Sequence, residues 1–145
     1  MFGMFKKKVK VAQREVKNFE KRDLMQACVG IGLLVGYTSG DFGSAEAEKL
    51  QKTLANLPAL AHFGSEVNET FARYNTLLKE SGLMMGKLQI MREIGDVKGD
   101  QRESEDVLVT GLTVALADGE VDDKERAILE EIASVLGLRL DAYLA

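Results

Sequence analysis

The chain has no tryptophan, one proline (Pro58), one cysteine (Cys28) and one histidine (His62) in 145 residues. Each scarcity removes a class of protein. A lone cysteine forms no internal disulfide, so nothing points to an oxidising compartment, and the expected location is the cytoplasm. One cysteine and one histidine make no zinc or iron cluster, and no glycine loop has the spacing that cradles a phosphate. Apolar runs are short: the longest, Ala27 to Tyr37, falls well below the roughly 18 residues of a membrane span. It does not resemble a secretory signal at the N-terminus either, because the apolar block Met1 to Phe5 precedes the lysines.

What remains is rich in Ala, Leu, Glu and Lys, residues that lose little rotamer freedom in helices. The expected fold is therefore all-α, a single compact domain over residues 1–145, large enough to bury a core without disulfide or structural metal. The net charge of −4 conceals an asymmetry. Residues 1–22 hold eight Lys or Arg against Glu15 and Glu20, about +6, which leaves about −10 for the rest. So acidic a body, with few aromatics and no groove-reading motif, argues against nucleic acid as a partner.

In residues 1–22, Phe5, Val9, Ala12, Val16 and Phe19 fall at helical spacing with Lys6, Lys7, Lys10, Arg14 and Lys17 elsewhere on the wheel. The pattern predicts a basic amphipathic helix, which fits docking on a core first and, as the second reading, peripheral contact with an anionic membrane. Asp23 is expected to cap a second helix, apolar nearly all round and hence central, in which Gly30, Gly32 and Gly36 permit close packing and Cys28 is a buried small hydrophobe. A helix from Ser44 to Leu57 and a short one at Ala59 to Phe63, with Pro58 in its first turn, come next. Ser65 then opens a long middle helix that Ser81-Gly82 breaks or kinks. Leu83, Met84, Leu88, Met91 and Ile94 read as an inward stripe, and Met84, Met85 and Met91 as core filling rather than a partner groove. The near-apolar helix Glu103 to Ala117 and a last long helix from Asp122, closed by Gly137, complete the pattern.

Two turns stand out. Asp118-Gly119-Glu120-Val121-Asp122-Asp123-Lys124-Glu125 contains a capping box, with Asp122 accepting from the helix and Glu125 reaching back. About 79 residues earlier, Ser39-Gly40-Asp41-Phe42-Gly43-Ser44-Ala45-Glu46 has the same skeleton. The chain thus reads as helix, acidic turn, helix, twice over. Asp118, Glu120, Asp122, Asp123 and Glu125 offer the hard oxygen ligands that Ca2+ favours, yet the loop is no EF-hand: counted from Asp118, Asp123 stands where glycine is needed and Leu129 where the bidentate Glu is needed. Capping alone accounts for Asp122 and Glu125, so both readings stand. His62 follows a helical Ala-Leu-Ala and reads as a capping or surface residue, not a general base.

Lys21-Arg22-Asp23-Leu24-Met25-Gln26, the turn at Ser39 to Glu46, Ala117 to Glu125 and Ile132-Ala133-Ser134-Val135-Leu136-Gly137 together resemble the tellurite-resistance TerB family over most of the chain. The resemblance implies an all-helical bundle of about seven helices with a pseudo-twofold repeat and a non-enzymatic, stress-related role. It also implies association with other proteins of membrane-linked Ter complexes, and a divalent-cation site, best matched to Ca2+, at Asp41, Glu46, Asp118, Glu120, Asp122 and Glu125. The first turn departs from the family pattern, with Ser39 in place of an Asp before Gly40 and Gly43 in place of a Ser or Asp cap. In the contrasting reading, the domain is a metal-free structural adaptor or co-chaperone-like interaction module whose acidic turns only cap helices.

Overall fold

The computed structural model describes residues 21–40, 42–117 and 119–144. The amphipathic helix expected over residues 1–22 lies outside the described residues apart from Lys21 and Arg22. These belong to the next helix: Lys21 is its N-cap and Arg22 its first residue.

Seven α-helices and two 3-10 turns make up the described chain, with no strand among the described residues. They are α1 (Arg22–Gly36), α2 (Ser44–Ala55), α3 (Ser65–Glu80), α4 (Gly82–Gly95), α5 (Gln101–Leu116), α6 (Asp123–Val135) and α7 (Asp141–Leu144). The helix α1 is central, as its composition requires. Eleven of its residues, Leu24 and Met25 and then Ala27 through Val35, are buried, and it packs against α2, α3, α4, α5 and α6. None of these helices is long and apolar enough to cross a membrane.

The repeat expected from the turns is present in the fold. Helices α1 and α5 begin 79 residues apart, and so do α2 and α6. The two long first helices, α1 and α5, lie against each other; α2 also touches α5, and α6 touches α1, so each second helix reaches across to the other repeat. Close approach sets the composition at one repeat-related pair. A Cβ at Gly111 of α5 would stand 2.5 Å from Ile31 Cδ1, whereas one at Gly32, its counterpart in α1, would stand 3.1 Å from the Leu54 methyls. Polar groups in this core are bonded: Thr110 Oγ1 donates to the Asp106 carbonyl at 2.8 Å and lies 3.4 Å from Cys28 Sγ, and Ser104 Oγ donates to the Val97 carbonyl at 3.2 Å.

Three expectations are corrected. Asp23 does not cap α1; it sits in the first turn, where its charge faces the helix dipole, because Lys21 adopts the extended N-cap conformation without a side-chain bond. Long-range ion pairs hold that start, Lys21 Nζ to Glu103 Oε2 at 2.7 Å and Arg22 Nη2 to Glu66 Oε1 at 2.6 Å. The short helix after Pro58 is only a 3-10 turn, Ala61–Phe63. The long middle helix breaks at the expected Ser81-Gly82, where Gly82 adopts φ +83° and resets the direction of the chain between α3 and α4. With the reset comes a different inward face: Gly86, Ile90 and Ile94 are buried, while Leu83, Met84, Met85 and Leu88 are 52, 85, 55 and 46% exposed. Met84 and Met85 therefore do not fill the core, and Met91 is half-buried.

Candidate functional site: two acidic turns around one cavity

Each repeat turns its chain by the same local device. After α1 the 3-10 turn ends at Gly40, φ +72°, whose N–H donates to the Tyr37 carbonyl at 3.3 Å; after α5, Gly119 has φ +112° and its N–H donates to the Leu116 carbonyl at 2.9 Å. An apolar residue then anchors each turn. Phe42 lies half-buried against Tyr37, ring centroids 4.5 Å apart, and Val121 holds the matching place in the second turn.

The starts of α2 and α6 differ in one atom group. At α6, Asp122 Oδ1 accepts from the Glu125 N–H at 2.8 Å, and the Asp122 N–H donates to Glu125 Oε1 at 3.0 Å, a complete capping box. At α2 the Gly43 N–H donates to Glu46 Oε1 at 2.8 Å, but Gly43 has no side chain to return the bond. Half of the box is therefore missing from the first repeat. The reading of Asp122 and Glu125 as capping partners stands in full.

Between the two turns opens a cavity of about 810 Å3. Glu46 lines it from α2, and Glu120, Asp122 and Glu125 line it from the second turn and α6. Its floor is apolar, formed by Val35, Phe42, Leu50 and Val114. Four of the six expected cation ligands thus face one space, brought there from opposite repeats. The other two, Asp41 and Asp118, lie outside the described residues. Asp123 opens α6 but is not part of the lining.

Carboxylate oxygens are the right donors for a hard cation such as Ca2+. Yet among the described residues no three Asp, Glu, Cys or His side chains converge closely enough to hold a metal ion. On donor chemistry the cavity fits a divalent cation; on geometry the described carboxylates surround a space without closing on a point.

Sequence reasoning missed the polar wall of the cavity. Lys49, Thr53 and Thr38 line it as well, and Thr38 Oγ1 donates to the Val35 carbonyl at 2.7 Å. A signal for Lys49 existed: it follows Glu46 by three residues and therefore shares its helix face. Away from the cavity, His62 is exposed and stacks on Phe63 at 4.2 Å between centroids, as a surface residue would. Cys28 is wholly buried in α1, and burial pushes its thiol up to about 12, so it carries no thiolate at neutral pH.

A family model described as "Tellurite resistance protein TerB" matches residues 25–144. No curated protein and no solved structure gives a significant match.

Proposed function

The chain belongs to the tellurite-resistance TerB family, and from that premise we propose that it is a non-catalytic, tellurite-resistance-associated module whose two acidic turns bind a divalent cation while the cavity between them receives a group from a partner protein. The observation that carries this reading is the convergence of Glu46 with Glu120, Asp122 and Glu125 on one cavity from two repeats. At about 810 Å3 the space is far larger than one ion and falls in the range of pockets that take a ligand or an inserted side chain. An acidic rim over the apolar floor suits a cation at the mouth and an apolar side chain beneath it. Asp41 and Asp118, adjacent in sequence to Gly40 and Gly119, are the residues proposed to complete the coordination.

The non-catalytic part of the reading is supported by the chemistry of the single cysteine. Reduction of tellurite by a thiol needs a thiolate, and Cys28 is buried with its proton held.

Backbone amide NMR during titration with Ca2+, with Mg2+ and Zn2+ as controls, tests the proposal. Shifts confined to residues 40–46 and 118–125, saturating with Ca2+ and absent from Asp118→Asn/Asp122→Asn, are the expected result. No localised shift up to millimolar Ca2+ would leave the turns as helix starts. That second reading, a metal-free adaptor, is favoured by one specific observation: Glu46, Asp122 and Glu125 each bond a backbone N–H. It predicts that the double variant loses only part of the cap at α6, about 1 kcal/mol or less.

A further inference from the structure

The outward face of α4 carries an apolar stripe that is open at its Met84 end and half-buried at its Met91 and Gly95 end. Met84, Leu88, Met91 and Gly95 recur at intervals of four, three and four, a narrow seam along one side of the helix. Met84 is 85% and Leu88 46% exposed at one end of this stripe. The seam runs beside α6, which travels in the same direction: Lys87 Nζ bonds Glu131 Oε1 at 2.8 Å, and a Cβ at Gly95 would lie 3.7 Å from Val135 Cγ1. Beyond Leu83 it opens into a cleft of about 320 Å3 whose walls include Leu34, Tyr37, Leu83 and Ile128.

Residues 1–20 carry the matching pattern. Phe2, Phe5, Val9, Ala12, Val16 and Phe19 recur at intervals of three, four, three, four and three, the alternation that makes two helices pack along a seam. Length and place of exit agree as well. Lys21 is paired with Glu103 in the first turn of α5, which starts six residues beyond the end of α4, so the chain leaves the bundle at the Gly95 end of the stripe. A helix over residues 2–19 rises about 26 Å, against about 17 Å from Gly95 to Met84. The excess would bring Phe2 and Phe5 to the cleft in such a helix.

We infer that residues 2–19 fold back as a helix antiparallel to α4 and bury the Met84–Leu88–Met91 stripe of their own chain. Its phenylalanines occupy the cleft beyond Leu83. Lys10, Arg14 and Lys17, off the seam, then face solvent, and the apolar side of the segment is withheld from lipid.

The test is methyl NMR of the full chain labelled with [ε-13C]methionine. In the wild type, the Met84 and Met91 methyls are expected away from the position of a solvated methionine, with cross-relaxation to phenylalanine ring protons. Val9→Glu with Val16→Glu should bring both to the solvated position while Met25, buried in α1, stays unmoved and reports an intact fold. Met84 and Met91 already solvated in the wild type, or indifferent to the substitutions, would overturn the inference. So would displacement of the two methyls that disappears on strong dilution, which assigns the stripe to a second copy. Displacement that arises only on adding phosphatidylglycerol vesicles would overturn it too, assigning the segment to a lipid surface.

Discussion

Replacing Gly43 by serine should stabilise the protein, and the size of the effect follows from the other repeat. Gly43 has φ −94° and ψ −171°, an ordinary extended conformation close to the φ −80° and ψ 175° of Asp122. The position therefore has no need of glycine. A Cβ there would approach only Glu46 Oε1, at 3.1 Å, the mobile end of a side chain that can give by a few tenths of an ångström. A serine Oγ can then accept the Glu46 N–H as Asp122 accepts that of Glu125. The cap itself is worth a few tenths of a kcal/mol over glycine, and the lost freedom of the unfolded chain about 0.4–1 kcal/mol, so the gain is about 1 kcal/mol. In urea, with a slope of about 2 kcal/mol per molar, the midpoint should rise by about 0.5 M; heating should show about 3 °C. Asp122→Ala should lose about as much, because it removes a cap already made. Gly43→Asp should gain less at low salt and approach serine at high salt, since it sets another carboxylate beside Glu46. A Gly43→Ser midpoint at or below wild type, with Asp122→Ala costing its full amount, would refute the equivalence of the two helix starts.

Gly111→Ala should cost about 1–3 kcal/mol in chemical denaturation, because the new methyl meets Ile31 and Leu129 at 2.5 and 3.0 Å; Gly32→Ala, at 3.1 Å from flexible leucine methyls, should stay within about 1 kcal/mol of wild type since helix propensity offsets the crowding. Tyr74→Phe should cost about 2 kcal/mol, measured the same way, because the buried hydroxyl donates to Glu93 Oε1 at 2.6 Å. Stability should fall as pH rises above about 9: the Cys28 thiol, ordinarily 9.0, ionises first in the unfolded chain and only near 12 in the folded one, so each pH unit between removes up to about 1.4 kcal/mol. Cys28→Ala should delay that fall towards the range in which Tyr74 and Tyr143, also raised above their ordinary values, begin to act; an unchanged profile would refute the assignment.

The local parts of the fold were readable because they rest on short-range chemistry. The capping box at Asp122 and Glu125, the burial of α1 and the repeat of 79 residues are written in spacing and composition alone. Where the reading failed, a distant contact or a backbone reset decided. The start of α1 lies at Arg22, where Lys21 and Arg22 pair with Glu103 and Glu66 far along the chain. The inward face of α4 rotated because φ +83° at Gly82 began a new helix, and periodicity extended across Ser81 from α3 gives the wrong phase. Likewise, the sequence placed acids in two turns but not around one cavity; their meeting depends on α1 and α5 packing side by side.

Under the proposed function, that meeting sets capping and cation binding in competition. A cation that draws Glu46 from the Gly43 N–H, or Glu125 from that of Asp122, loses about 1 kcal/mol of capping for each, roughly fivefold in affinity per helix. One that binds through other carboxylate oxygens keeps both caps and adds about 2.7 kcal/mol to stability at a hundred times its Kd. Glutamine separates charge from capping, because its side-chain oxygen can serve in a capping box as glutamate does. Glu46→Gln/Glu125→Gln should therefore keep wild-type stability within about 0.5 kcal/mol in the absence of metal, and should lose the Ca2+-dependent rise in melting temperature. Differential scanning calorimetry with and without Ca2+ reads both quantities on one sample. A double variant that still gains full stability from Ca2+ would show that these two carboxylates act only as caps, and that any cation is held by the remaining acids of the turns.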